Sequence, residues 1–190
     1  MTDINYHLRN MYDKYGVKHT YQLLVNTYVN PHQNLITQLF IKYLAKYIKH
    51  NSNILDLAAG DGLITKILFN YFSDYYLSID GIDAYLSDLY TSNTGIKCMN
   101  LSFEDIALGK LNISKKYDII ICSYAYHLLN KSWIYNFLLE MTFLTKIFII
   151  ISPTKNIYIN HPYWQTIFHI RENHVDIFVL KSINQIILKS

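Results

Sequence analysis

The chain has 190 residues, 51% hydrophobic and 16% charged, which suits one globular domain with its own core and excludes a disordered chain. A formal net charge of +3 is too small to argue for a nucleic-acid partner. Cys98 and Cys122 stand alone inside apolar runs, so neither a disulfide framework nor a metal site is supported, and reduced core thiols in a cytoplasmic protein are expected.

The opening "MTDINYHLRN" lacks the basic-then-apolar order of a signal peptide. The longest apolar runs, near 117–129 and 147–153, fall far short of the ~20 residues that cross a bilayer. The 18 tyrosines are spread along the whole chain, which fits coding bias better than a stacking surface.

The first fifty residues read as helical. Tyr21 to Tyr28 carries apolar positions at helical spacing, and after Pro31 a second pattern places Ile36, Phe40, Ile41, Leu44 and Ile48 on one face. Asn30-Pro31 reads as a helix start, Asn30 being the cap and Pro31 the first helical residue. Lys42, Lys46 and Lys49 are spaced to share a face of that helix, as a solvated surface or a phosphate track.

From residue 53 strands alternate with helices. "NILDLA", "YYLSIDGI", "IKCMNL", "YDIIICSY" and "KIFIIISP" read as five strands, with helices at "GLITKILFNYF", "AYLSDLYTS" and "SWIYNFLLEMTFL". Continuous apolar strands separated by helices predict a parallel sheet covered on both faces. "HVDIFVLKS" and "NQIILKS" add two more β-rich segments, close enough for an antiparallel last pair. The expected organisation is one domain over 1–190, with a helical lid over 1–50 and a Rossmann-like, doubly wound, seven-stranded core over 51–190.

"ILDLAAGDGLIT" carries the functional signal. In a doubly wound sheet the ligand lies beyond the carboxyl ends of the central strands. Here the first strand ends in Asp56, Ala58, Ala59, Gly60 and Gly62, small residues that let main chain approach a ligand. Asp83 follows Gly60 by 23 residues, close to the ~20 of a carboxylate that binds ribose hydroxyls. Asp80 competes for that role, and helix capping is the structural alternative for Asp83. A G-x-G-x-x-G dinucleotide fingerprint fails at Thr65. Asp61 in the turn would repel a pyrophosphate but suits a cationic ligand.

These residues resemble the class I S-adenosylmethionine-dependent methyltransferases. "DLAAGDG" looks like their first motif, "GIDAY" like the second, "LSFEDI" like the adenine-binding third, and "YDIIICSYAYHLL" like the fourth strand with its loop over the methyl group. The resemblance spans about residues 53–153. It implies that Asp56, Ala58, Ala59, Gly60, Gly62, Asp83, Ala84, Ser102, Phe103 and Ser123 hold S-adenosylmethionine, leaving S-adenosylhomocysteine as product. Where the family often has Asp at the adenine position, this chain has Ser102, with Asn100, Glu104 and Asp105 nearby.

In the loop after the fourth strand, His127 is the candidate base, since only its unperturbed pKa lies near neutrality. Helix-start packing is its structural alternative. Tyr124 is the second catalytic candidate, shaping the methyl pocket. No Asn or Asp followed by Pro-Pro appears there, and neither cysteine follows a proline. That leaves oxygen or nitrogen, on a small-molecule acceptor first and on RNA or protein second. A non-catalytic binding subunit is the alternative from another class. Tyr28, Asn30 and His32 are expected to reach the site from the lid. His161, Trp164, His169 and Arg171 either line a pocket beyond strand five or pack as aromatic core.

Overall fold

The computed structural model describes residues 3–24, 28–111, 114–155 and 157–183. Seven strands form one sheet: β1 Asn53–Leu57, β2 Ser78–Ile82, β3 Cys98–Met99, β4 Ile119–Ser123, β5 Ile147–Ser152, β6 Trp164–Glu172 and β7 Val175–Ser182. Their spatial order is β3-β2-β1-β4-β5-β7-β6. β1 to β5 pair in parallel, and β7 lies antiparallel between β5 and β6. Chain order reverses at β1 and β4, the switch point where an open sheet leaves a crevice.

The continuous apolar strands sort by alternation once the sheet is formed. Ile54, Ile119, Ile121, Ile149 and Ile151 face one way. They pack on α2 (Gln33–Leu39) and α3 (Leu63–Tyr71) through Ile36, Leu39, Ile64, Ile67 and Leu68. Leu55, Leu57, Ile120, Cys122, Phe148 and Ile150 face the other way. There α5 (Phe103–Ala107) and α6 (Ile134–Leu144) cover them with Ile106, Phe137, Leu138 and Met141. Leaving all of these in water would cost about 1.5–3 kcal/mol per large side chain, so burial on both faces fixes the layered architecture.

α4 (Ser87–Thr94) sits over β2 through Tyr90, whose ring lies on Gly81. A Cβ at Gly81 would come within 2.3 Å of Tyr90 Cζ, so glycine here is a packing requirement. Cys98 and Cys122 are free, buried thiols, and burial pushes Cys98 up to about 12.

Three expectations change. The N-terminal segment forms α1 (Asp3–Leu24), interrupted at Gly16 by a non-helical φ of 74°. The next helix begins at Gln33 rather than at Pro31. Asn30 Oδ1 accepts from His32 N at 2.9 Å, forming a turn one step ahead of the helix. Past Leu39 the helix widens into a π turn over Phe40–Leu44 and tightens to 3-10 over Ala45–Tyr47, so the lysine spacing no longer traces a regular helix face. Lys42 is paired with Glu172 at 2.8 Å, and Lys46 lies over the Phe168 ring at 4.9 Å. These lysines fasten the helix to the outer strand.

The final hairpin is β6 with β7, joined by Asn173 and His174 at φ 49° and 64°, a two-residue turn with both residues left-handed. The segment from Trp164 is therefore a strand, bulged between Thr166 and Phe168. "NQIILKS", expected as the last strand, lies outside the described residues.

Candidate functional site

A cavity of about 330 Å³ opens at the carboxyl edge of β3, β2, β1 and β4. Its floor is the turn from β1 into α3. Ala58 and Gly60 take left-handed backbone there, at φ 53° and 58°, so the chain bends sharply and exposes main chain to the cavity. A Cβ on Gly60 would project toward Tyr28 Cε1, 3.6 Å away. Tyr28 thus closes this floor from the N-terminal segment. The ring of Tyr21 on α1 stacks on Tyr85 at 5.8 Å and meets Tyr28 edge-on at 5.5 Å. Three aromatic rings join α1 to the rim.

Carboxylates dominate this half. Asp83 arrives from the end of β2 and accepts from Gly60 N at 2.9 Å, Tyr85 N at 2.8 Å and Leu86 N at 2.7 Å. It ties the β1 turn to the β2 turn. Of the roughly four lone-pair positions on a carboxylate, three are used and one is left for a ligand. Asp56, 1% exposed, accepts from Thr65 N at 3.1 Å and Thr65 Oγ1 at 2.8 Å. Because the threonine hydroxyl donates to Asp56, the Tyr90 hydroxyl, 2.8 Å from it, donates in turn to Thr65. Burial pushes the Asp56 carboxyl up to about 7, against the pull of Thr65 and with help from the charges of Asp83 and Asp61. Asp61 also lines the wall, with Lys66 3.6 Å away on α3.

No known protein-family profile matches the chain. An uncharacterized protein of Schizosaccharomyces pombe is 27% identical, the match covering 66% of this chain. It also spans 66% of that relative's length, just under two thirds. Solved structures give a broader likeness. The magnesium protoporphyrin IX methyltransferase ChlM of Synechocystis PCC 6803, crystallised with bound SAM, superposes with a TM-score of 0.57 at 13% identity, covering 96% of this chain and 98% of that one. The 16S rRNA methylase ArmA gives 0.57 at 17%, over 94% and 97%. The PH0226 protein of Pyrococcus horikoshii OT3 gives 0.62 at 15%, over 90% and 98%. The fold is that of the class I methyltransferases. At these identities the likeness is one of architecture, and the side chains must be argued from this chain alone.

Within this methyltransferase fold, Asp56, Ala58, Ala59, Gly60, Asp83, Ala84, Ser102, Phe103, Ser123 and Tyr124 all line the cavity. Of the residues expected there, Gly62, His127 and His32 do not line it. Gly62 caps α3 at φ 83°, and a Cβ on it would meet Thr94 Cγ2 at 2.6 Å. Its smallness lets α3 pass α4. His127 is exposed on a 3-10 turn over Tyr126–Leu128, pointing its neighbour Leu128 rather than itself to the cavity wall.

Between the competing acids, Asp83 lines the cavity. Asp80 is held by Lys115 and by the Tyr117 hydroxyl at 2.7 Å. Ser102 closes a capping box with Asp105 at the start of α5: its hydroxyl donates to Asp105 Oδ2 at 2.8 Å and accepts Asp105 N at 3.1 Å. One lone pair is left for a ligand. The Phe103 amide, first in its helix, has no intrahelical acceptor.

The β4 half of the cavity differs in kind. Ser123, Tyr124, Ala125, Leu128 and Asn130 form it, with Asn30 arriving from the N-terminal segment. Ser123 Oγ is buried without a hydrogen-bond partner, a state that costs about 1–3 kcal/mol and calls for an explanation. Tyr124 sits at φ 58°, its amide donating to Ile151 O at 2.7 Å, and a bulky residue in this region is a strained outlier. Burial pushes its phenol up to about 12. The ring of His32 packs against it at 5.0 Å, and burial lowers that imidazole's pKa.

Tyr28 and Asn30, legible in "YVNPH", line the wall, while His32 only packs on Tyr124; Tyr21, Tyr85 and Glu104 were not expected there. Stacked rings from distant segments leave no spacing signal in a sequence. Of the tail residues, Trp164 is buried with its indole N–H donating to Leu138 O at 2.8 Å. His169 and Arg171 both engage Asp176. His161 is buried beside Tyr135. None of the four lines the cavity.

Among the described residues no three His, Cys, Asp or Glu side chains could hold a metal ion, and no helix is long and apolar enough to cross a membrane.

Proposed function

We propose that the protein is an S-adenosylmethionine-dependent methyltransferase that delivers the methyl group to an oxygen or nitrogen of its acceptor, with S-adenosylhomocysteine as product. The observation that carries this reading is the bare, acid-flanked turn over Ala58–Gly60 with Asp83 braced across it. A cationic nucleoside needs main chain without side chains in the way and carboxylates facing it, and this floor supplies both.

The residues fit the donor one by one. Asp83 has one position left for the ribose hydroxyls. Asp56 and Asp61 face the positively charged sulfonium and amino groups. Ala84, Ser102 and the Phe103 amide form the adenine end. Ser123 and Tyr124 stand where the methyl group would project. The donor is already activated when bound, and this chain's contribution is to align nucleophile and methyl and to keep water out. At about 330 Å³ the cavity lies at the small end of ligand pockets, roughly 300–1,000 Å³, which leaves the uncharged β4 half for the acceptor.

Isothermal titration with S-adenosylmethionine and S-adenosylhomocysteine tests the reading. Micromolar binding of both is expected. Failure of either to bind at millimolar concentration removes the enzyme assignment.

A further inference from the structure

We propose that the methyl acceptor is an un-ionised nitrogen, an amine or a ring nitrogen, seated over the end of β4 among Asn30, Ser123 and Tyr124. This rests on the donor reading above and goes beyond it by naming the nucleophile.

The argument starts from where charge lies. Asp56, Asp61, Asp83 and Glu104 line the cavity, and among the described residues no lysine or arginine does. All four acids stand over β1, β2 and β3, while the β4 half is uncharged. An anionic acceptor would enter a cavity of its own sign with no cation to replace its hydration, which is costly in a low-dielectric site. A neutral nitrogen meets the opposite situation. As its lone pair forms the new N–C bond, the C–S bond breaks and its electron pair stays on sulfur. One positive charge therefore passes from sulfur to nitrogen, and none is created or destroyed. Carboxylates beside the donor stabilise that shared cation throughout the transfer.

Proton chemistry points the same way. A hydroxyl acceptor has to lose a proton as it attacks, which calls for a base within hydrogen-bond reach. The β4 wall offers two carboxamides, the Ser123 hydroxyl and the Tyr124 phenol, which burial keeps protonated up to about 12. None is a base near neutrality; His32, its ring 5.0 Å from Tyr124, does not line the cavity, and Asp56 stands over β1 with its Oδ2 taken up by Thr65. A neutral nitrogen attacks without losing a proton, and the resulting ammonium releases one to solvent after leaving.

Hydrogen bonding supplies the second, independent observation. Ser123 Oγ is buried and unpartnered in this half of the cavity, and a bound N–H group would satisfy it. Asn30 Oδ1 is already used by His32 N, so contact with the acceptor falls to Asn30 Nδ2.

The test incubates the full chain with methyl-labelled S-adenosylmethionine and a heat-inactivated cell extract. The products are then hydrolysed and the atom bearing the label is identified. Label on nitrogen, stable to mild alkali, is expected. Label released as methanol, or held as an O-methyl ether, overturns the proposal. No product above the protein-free control, with donor binding intact by calorimetry, also overturns it while sparing the donor reading; no donor binding overturns both.

Ser123→Ala and Asn30→Ala are each expected to raise KM for the acceptor so found by about fivefold, the equivalent of one hydrogen bond. Donor affinity should stay within about twofold in Asn30→Ala; the melt of Ser123→Ala should hold or rise slightly, and that of Asn30→Ala should fall by a few degrees with loss of the bond from His32 N. An unchanged KM in both variants removes the acceptor from this wall.

Discussion

The turns that leave β1 and β4 share a backbone device and differ in everything else. Each holds a non-glycine residue at left-handed φ, Ala58 at 53° and Tyr124 at 58°, directly at the carboxyl edge of a central strand. The β1 turn carries carboxylates and main chain. The β4 turn carries a phenol, an orphan hydroxyl and apolar side chains. The same bend thus serves two purposes. On the proposed reading, one half of the cavity holds a cation, and the other leaves a neutral partner free to attack it.

The sharpest way to break this contrast is to remove Asp83. Its carboxylate braces three amides from two turns, and hydrogen bonds to a charged group contribute about 1.5–3 kcal/mol each. Asp83→Ala is expected to lower unfolding stability by about 3 kcal/mol in a urea titration and to abolish measurable donor binding. Asp83→Asn, which keeps the shape, should retain the fold and still weaken the donor by tenfold or more.

Gly62→Ala comes next. The added methyl strikes Thr94 Cγ2 at 2.6 Å, and overpacking of this kind costs about 1–3 kcal/mol. The double variant with Thr94→Ser should recover part of the loss. Recovery would mark Gly62 as a packing residue; loss of donor binding without loss of stability would return it to the site.

Asp56 sharpens the charged half through pH. Its carboxyl is held at about 7 in the folded protein against 3.8 ordinarily, so between about pH 4 and 7 the folded chain keeps a proton that the unfolded chain has released. Stability contributed by this group is therefore full below about pH 4 and falls as pH rises toward 7. Donor binding runs the other way, because a cation favours the ionised form. Affinity for S-adenosylmethionine should rise about tenfold from pH 6 to pH 8, as the competent fraction grows. That slope should vanish in Asp56→Asn.

Two smaller effects separate the turns. Ala58→Gly relieves left-handed strain of about 1–2 kcal/mol, offset by glycine's greater freedom when unfolded, so a gain of about 0.5–1 kcal/mol is expected by thermal denaturation. Ser123→Ala removes an unsatisfied hydroxyl and should leave the unliganded protein unchanged or up to about 1 kcal/mol more stable.

Much of this architecture was readable because burial on both faces writes long apolar blocks. β1, β2, β4 and β5 announce themselves that way, and the Gly60–Asp83 spacing follows from two adjacent parallel strands ending at one edge. β6 was hidden. An outer strand exposes one edge and most of one face, so "WQTIFHIRE" mixes polar and aromatic residues without a clean period, and the more apolar "NQIILKS" drew the expectation instead. His127 was chosen on its ordinary pKa, a criterion blind to the short 3-10 turn that sends it outward. Ser102 lines the cavity, but sequence could not show that its hydroxyl is half consumed by a capping box.

The two-residue bend at Asn173 and His174 has a bearing on how such a scaffold diversifies. Asp176 stands opposite Ser152 at the end of β5, which brings that bend to the rim shared with the ligand crevice. Its residues need only satisfy a tight reversal, so extra chain could be spliced in there without touching either hydrophobic layer. On the proposed reading, new contacts for larger acceptors could be grafted at this corner while the turns after β1 and β2 stay as they are.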